Sequence, residues 1–206
     1  TFEHSFKHNE ESTTSFRIAL PRGSYLTKAF ARTLNAVAED HPVQVTFNET
    51  INEEVIQCVS AQGYDVGIIR LPIEFESNYK KLLAEKQLKF QEIMVFRFVV
   101  VMHKDHPLAN REYVHFSDLV NHTALVHGDN HFLTFSDAET DKLYRTHLYK
   151  NSISIFERGS QFDFLRDIPG AFMLISPLPQ ELLNAYDLVQ VKMPDSEIGL
   201  FEDLMI

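Results

Sequence analysis

The 206-residue chain has a single cysteine, Cys58, so an internal disulfide is excluded and a reducing compartment fits. Cys58 falls beside Val55 and Val59 on one helical face, where a free thiol is normally buried and inert. Tryptophan is absent, and the 17 phenylalanines must therefore supply most of the aromatic core. No run of 18 apolar residues exists, so no segment is expected to span a membrane. The opening TFEHSFKHNEESTTS lacks a signal peptide's apolar centre, which supports a cytoplasmic location. Basic residues are few: 19 Lys and Arg against 29 Asp and Glu leave a net charge of −10. That balance argues against this chain itself gripping a phosphate backbone. Enzyme signatures are also missing. There is no Gly-x-Ser-x-Gly elbow, no Gly-rich phosphate loop and no Gly-x-Gly-x-x-Gly after the first strand.

What is present is a chain organised around residues 41–70. His41-Pro42 stops a helix, Val43–Phe47 alternates as a strand, and a helix carries Val55, Ile56 and Val59. Asp65–Ile69 closes the unit with a nearly continuous apolar run, suited to a strand buried on both faces. Strand, helix and strand in about 30 residues make a right-handed parallel crossover. Upstream, Phe16–Leu20 is a strand, and Leu26, Phe30, Leu34 and Val37 form one helical stripe after Ser24, which is placed to cap it. The first 70 residues thus read β-α-β-α-β. Leu71–Glu76 reads as a loop and Tyr79–Gln87 as a short helix. Phe90–His103 is an overlong strand-like run. At about 3.3 Å per residue it would span about 46 Å, more than one compact sheet uses, so it is expected to bend near Arg97 and enter a second lobe. Further elements are expected at 116–120, 123–126, 137–149, 151–157, 161–167, 171–175, 180–186 and 188–192, with a final strand in the last ten residues.

Several motifs recur in a telling order: the turn-helix GSYLTKAF, His41-Pro42 before a strand, and Gly63-Tyr64-Asp65-Val66-Gly67-Ile68-Ile69. His106-Pro107-Leu108-Ala109 and Phe116-Ser117-Asp118-Leu119 follow. Together, from about Phe16 to the C-terminus, they resemble the effector-binding domain of LysR-type transcriptional regulators. The resemblance implies an α/β, type II periplasmic-binding-protein-like fold of two lobes, each a mostly parallel sheet flanked by helices, with a ligand cleft between them. It implies lobe I at 16–97 plus 176–206, lobe II at 98–175 and a linker remnant at 1–15. It also implies a homodimer of the sensor domain, a tetramer of the full-length protein, and DNA contact only through an N-terminal winged helix-turn-helix that this chain lacks. Three features depart from the family: Ile168-Pro169-Gly170-Ala171 replaces the usual glycine pair, His127-Gly128-Asp129-Asn130-His131 is an uncommon loop, and the helix that usually closes the first lobe is missing.

Candidate effector contacts follow from strand ends and from the resemblance. Gly23, Ser24 and Tyr25, with Arg22 nearby, would offer helix-terminal amides to an acidic group. Ser24 is alternatively only a cap. Thr50 matches a family contact, or else leads into a helix capped by Asn52. Val126, His127, Gly128, Arg158 and Gly159 would form the second-lobe wall, with Arg97, Ser176 and Pro177 at the crossings. A cleft arginine can pair bidentately with a carboxylate, whereas most arginines only solvate a surface. His103/His106 and His127/His131 have metal-like spacings but lack the helical context, so no metal or cofactor is expected. The leading expectation is a sensor domain binding a small acidic effector, without catalysis. A transporter's solute-binding protein is the alternative, and a small α/β enzyme the third.

Overall fold

The computed structural model describes residues 14–38, 42–128 and 149–206. The helix expected over 137–149 lies almost wholly outside them. Two five-stranded sheets share the chain, in agreement with the expected two-lobed α/β architecture. In the first sheet, β1 (Thr14–Leu20) lies between β2 (Val43–Glu49) and β3 (Val66–Pro72), all parallel. β10 (Phe201–Met205) inserts antiparallel between β3 and β4 (Gln91–Phe96). In the second sheet, β6 (Thr123–His127) pairs in parallel with β7 (Asn151–Ile155) and β8 (Ala171–Ile175). β5 (Val99–His103) lies antiparallel between β8 and β9 (Leu188–Val191).

The central crossover forms as its pattern dictates. Edge strand β2 alternates between half-buried and exposed residues over Val43–Phe47, whereas Gly67 to Pro72 of β3 are buried. Between them α2 (Asn52–Ala61) buries Val55, Ile56 and Cys58. Four of the five positions in the Gly-Tyr-Asp-Val-Gly motif have a direct physical reason. Gly63 sits at φ +71°, the left-handed region that a side chain disfavours. Asp65 Oδ2 accepts the Arg17 amide at 2.8 Å, and the Arg17 guanidinium lies 4.2 Å from the centre of the Tyr64 ring. A Cβ on Gly67 would stand 2.7 Å from Val55 and 2.8 Å from Val59, so glycine lets α2 lie flat on the sheet.

Among its described side chains, the stripe of α1 (Ser24–Ala38) is fully buried at its start. Leu26 is buried, Phe30 and Leu34 are half-buried, and the helix's other flank (Ala29, Arg32, Thr33, Ala36) is exposed. Phe30 packs its ring 5.2 Å from Phe47 and 6.2 Å from Phe16. β3 itself runs longer than expected, to Pro72, then a 3-10 turn at Ile73–Phe75 leads into α3 (Glu76–Glu85), and the short α4 (Phe116–Leu119) precedes β6. Asn52, expected to cap α2, instead grips the Arg70 backbone: its Oδ1 accepts the Arg70 amide at 3.0 Å and its Nδ2 donates to the Arg70 carbonyl at 2.5 Å.

The long apolar run does bend. β4 ends at Phe96 in the first sheet, and β5 begins at Val99 in the second. Phe96, Phe98 and Phe201 pack at this crossing, with the Phe98 and Phe201 rings 4.2 Å apart and only 4° from parallel. The return crossing is a correction. It was expected at Ile175-Ser176-Pro177, yet α6 (Gln180–Ala185) and β9 follow within the second lobe, and β9 pairs with β5. The chain returns only between Val191 and Phe201. Periodicity could not place this, because an antiparallel edge strand reads the same in either sheet.

Candidate functional site

The face of the first sheet that carries α1 meets the loops of the second at a polar junction. At its base is a buried charge pair. Arg70, on β3, donates from Nε and Nη2 to the two oxygens of Asp203, on β10, each at 2.8 Å. Asp203 is completely buried and Arg70 is 8% exposed. Burial alone would lower the Arg70 pKa, but the Asp203 charge and its hydrogen bonds more than offset this and hold it raised. Tyr25 donates to the same carboxylate, and burial, then the Asp203 charge, pushes its phenol well above the ordinary range. Arg70 Nη1 also donates to the Arg22 carbonyl at 3.0 Å. The pair therefore fixes the turn from which α1 starts. Gly23 suits this place, since an added Cβ would lie 3.1 Å from Arg70 Nη2.

Above that base, three polar links join the two halves. Arg158, from the loop after β7, reaches across the junction. Its Nη2 donates to Ser24 Oγ at 2.7 Å, and its Nη1 donates to Thr27 Oγ1 at 2.8 Å and to the Glu49 carboxylate. Arg22 Nη2 donates in the other direction, to the Phe156 carbonyl at 2.9 Å. Lys28 of α1 pairs with Glu181 of α6, and that contact holds the Glu181 carboxyl below its ordinary pKa. Beside Arg158 remains a cavity of about 20 Å³, room for a single water molecule. Its lining includes Arg22, Gly23, Ser24, His127, Arg158, Gln161 and Ser176. Gln161, at the start of α5 (Gln161–Asp167), is 3% exposed, and its Oε1 has no hydrogen-bond partner among the described residues.

Of the residues expected from sequence, the structure thus gathers Gly23, Ser24, His127, Arg158 and Ser176 around one cavity. The others do not line it. Tyr25 turns inward to Asp203. Thr50 donates its amide to the Leu20 carbonyl at 2.9 Å and its hydroxyl to Glu54, outside the lining. Arg97 sits at the first crossing, paired at 3.0 Å with Asp195. Gly128 donates its amide to the Ile155 carbonyl at 2.9 Å, with the Phe156 ring where a Cβ would go. Pro177 follows the lining residue Ser176. Sequence reasoning missed Thr27, Gln161 and the Arg70–Asp203 pair. The last left a signal: two acids, Glu202 and Asp203, interrupt the otherwise apolar terminal run LFEDLMI, and an acid inside a buried strand needs a cation. Among the described residues no cluster of histidine, cysteine and acids could hold a metal, and no helix is long and apolar enough to cross a membrane.

Comparison with known proteins gives a consistent result. The family model for the LysR substrate binding domain matches residues 9–152. The reduced form of OxyR has 16% identity and a TM-score of 0.61, over 94% of this chain and 85% of the other. The BenM effector-binding domain with its effector benzoate gives 18% and 0.60, over 94% and 83%. The regulatory domain of MetR, a LysR family regulator from N. meningitidis, gives 15% and 0.58, over 93% and 82%. No curated protein sequence matches the chain.

Proposed function

Because this chain belongs to the LysR substrate-binding domain family, we propose that it binds a small-molecule effector in the cleft between its two sheets and thereby controls transcription as part of a longer regulator. The observation that carries this reading is the convergence of Ser24 from α1, His127 from β6, Arg158 from the β7 loop and Ser176 after β8 on one cavity. All four lie at, or just beyond, a carboxyl end of a parallel strand or at the helix start that follows one, where open α/β sheets take ligands. An acidic group on the effector is supported by Arg22 in the lining and by the N-terminus of the 15-residue α1, which favours negative charge. The effector acts by its differential affinity for lobe arrangements with and without the Arg158, Arg22 and Lys28 links. The family match favours a regulator over a transport receptor. The exposed flank of α1 at Ala29, Arg32, Thr33 and Ala36 supports side-by-side pairing of two such domains.

A thermal-shift screen of small metabolites tests the reading, since a ligand that binds only the folded state raises its melting temperature. A hit is expected to move the amide resonances of Ser24, His127 and Ser176 together. Hits that leave those amides unmoved, with shifts clustered elsewhere, overturn the cleft as the site.

A further inference from the structure

We propose that the first-sheet wall of this cleft is a seat for a cationic group, filled in this structure by Arg158, and that the effector carries an ammonium or guanidinium group that takes Arg158's place. The proposal rests on the cleft reading above and specifies the chemistry of its ligand.

Three oxygens from separate points of the first lobe converge on one guanidinium: Ser24 Oγ, Thr27 Oγ1 and the Glu49 carboxylate. The Thr27 hydroxyl spends its own proton on the Gly23 carbonyl, 3.3 Å away, so toward the cleft it is an acceptor. Glu49, as a carboxylate, can only accept. The second lobe adds a further acceptor on a residue that lines the cavity, Gln161 Oε1, which is buried and has no hydrogen-bond partner among the described residues. An acceptor left unpaired in the interior is costly and is relieved by a ligand that brings N–H donors. A purely acidic ligand brings none. It could take the Ser24 hydroxyl and the α1 terminus, but the Glu49 carboxylate would repel it, and it would have to compete with Glu49 for Arg158.

The cavity beside Arg158 is about 20 Å³ and Arg158 forms part of its wall, so moving that side chain out enlarges the space a ligand can enter. A cationic group can make the exchange without leaving Glu49 unpaired. The displaced Arg158 then becomes available to an acidic group on the same molecule, as a two-pronged donor. Both ends of the cleft are satisfied by one ligand class, an amino-acid-like zwitterion with a free ammonium or guanidinium group.

The test uses Arg158→Ala, which vacates the seat, and two probes: agmatine, which has cationic groups and no acid, and benzoate, which has an acid and no cation. Agmatine is expected to bind Arg158→Ala saturably, moving the Ser24 and Thr27 amides, and to bind the unmodified chain more weakly. Adding Glu49→Gln is expected to weaken agmatine about tenfold or more, the loss of one charge-assisted hydrogen bond. No saturable binding to Arg158→Ala, or equal affinity in the double variant, overturns the seat. Benzoate separates the two readings. If it moves cleft amides while agmatine does not, the cleft stands and the cation seat falls. If both probes move only amides outside the cleft, both fall. Should a melt show Arg158→Ala unfolded, Arg158→Gln, which keeps a neutral donor, takes its place in the same titrations.

Discussion

Replacing Asp203 with Asn keeps the shape of the side chain and removes the charge that compensates Arg70. Asp203 is fully buried, and its two oxygens take both prongs of a guanidinium that is itself 8% exposed. An amide in that place offers one acceptor and turns a donor toward another donor. Breaking a buried pair from one side costs about 3–5 kcal/mol, because a charge remains in the interior without a partner. For a domain of this size, each kcal/mol lowers the melting temperature by about 2–4 °C, so a fall of about 6–20 °C is expected. Urea unfolding followed by both circular dichroism and fluorescence gives the free energy and checks the two-state assumption. The double variant Arg70→Met, Asp203→Leu separates charge from packing: replacing both partners with apolar groups is often neutral or stabilising. It should therefore recover most of the loss. A cost below about 1 kcal/mol for Asp203→Asn, or a double variant no more stable than the single one, would refute the claim that this pair holds the base of the site.

Two further outcomes follow from other parts of the molecule. His106 is buried, and its pKa is lowered first by that burial and then by His122, whose ring lies 4.5 Å away. The unfolded chain takes up this proton first, so the contribution is fully present above about pH 6.5 and is lost as pH falls toward the lower folded value, with a slope of up to about 1.4 kcal/mol per pH unit. His106→Asn keeps an acceptor for the Leu108 amide, bonded at 3.1 Å to His106 Nδ1, and should flatten the slope in urea melts between pH 7.5 and 5; an unchanged slope would assign it to other groups. For pairing through α1, light scattering after size exclusion should give twice the chain mass for the parent and a monomer for Ala29→Glu, and an Ala29→Glu dimer would place the interface elsewhere.

The elements were legible where a period or a punctuating residue marked them. The strand–helix–strand over 43–69, the helix at 161–167 and the bend near Arg97 all declare themselves through apolar spacing and run length. The sheet to which 188–191 belongs did not, because pairing partners are chosen by tertiary packing and leave no local mark. The site was half legible for the same reason. Ser24 and His127 sit at ends of elements, where position alone suggests a role. Arg158 was one arginine among several, and its importance comes from partners 109, 131 and 134 residues away. Thr27 and Gln161 look like ordinary helix residues until the two lobes are brought together.

That long-range character also explains how the molecule divides its energetics. The first crossing is apolar and closely packed: Phe96, Phe98 and Phe201 join the β5 residues Val100 and Met102 in a single cluster. Separating those rings would expose apolar surface at roughly 25 cal/mol per Å², with nothing in water to replace the lost contacts. At the mouth the links are Arg158 to Glu49, Arg22 to a carbonyl and Lys28 to Glu181, all partly solvated. Water can replace the exposed Lys28–Glu181 pair, and pairs of that kind contribute about 0–1 kcal/mol; Arg158–Glu49, with its side chains 22% and 19% exposed, is screened less. A polypeptide arranged this way holds its floor firmly and its mouth weakly. Under the proposed exchange, a ligand's modest differential affinity would suffice to decide between arrangements of the mouth, and the buried Arg70–Asp203 pair would keep the start of α1 in place as Arg158 moved.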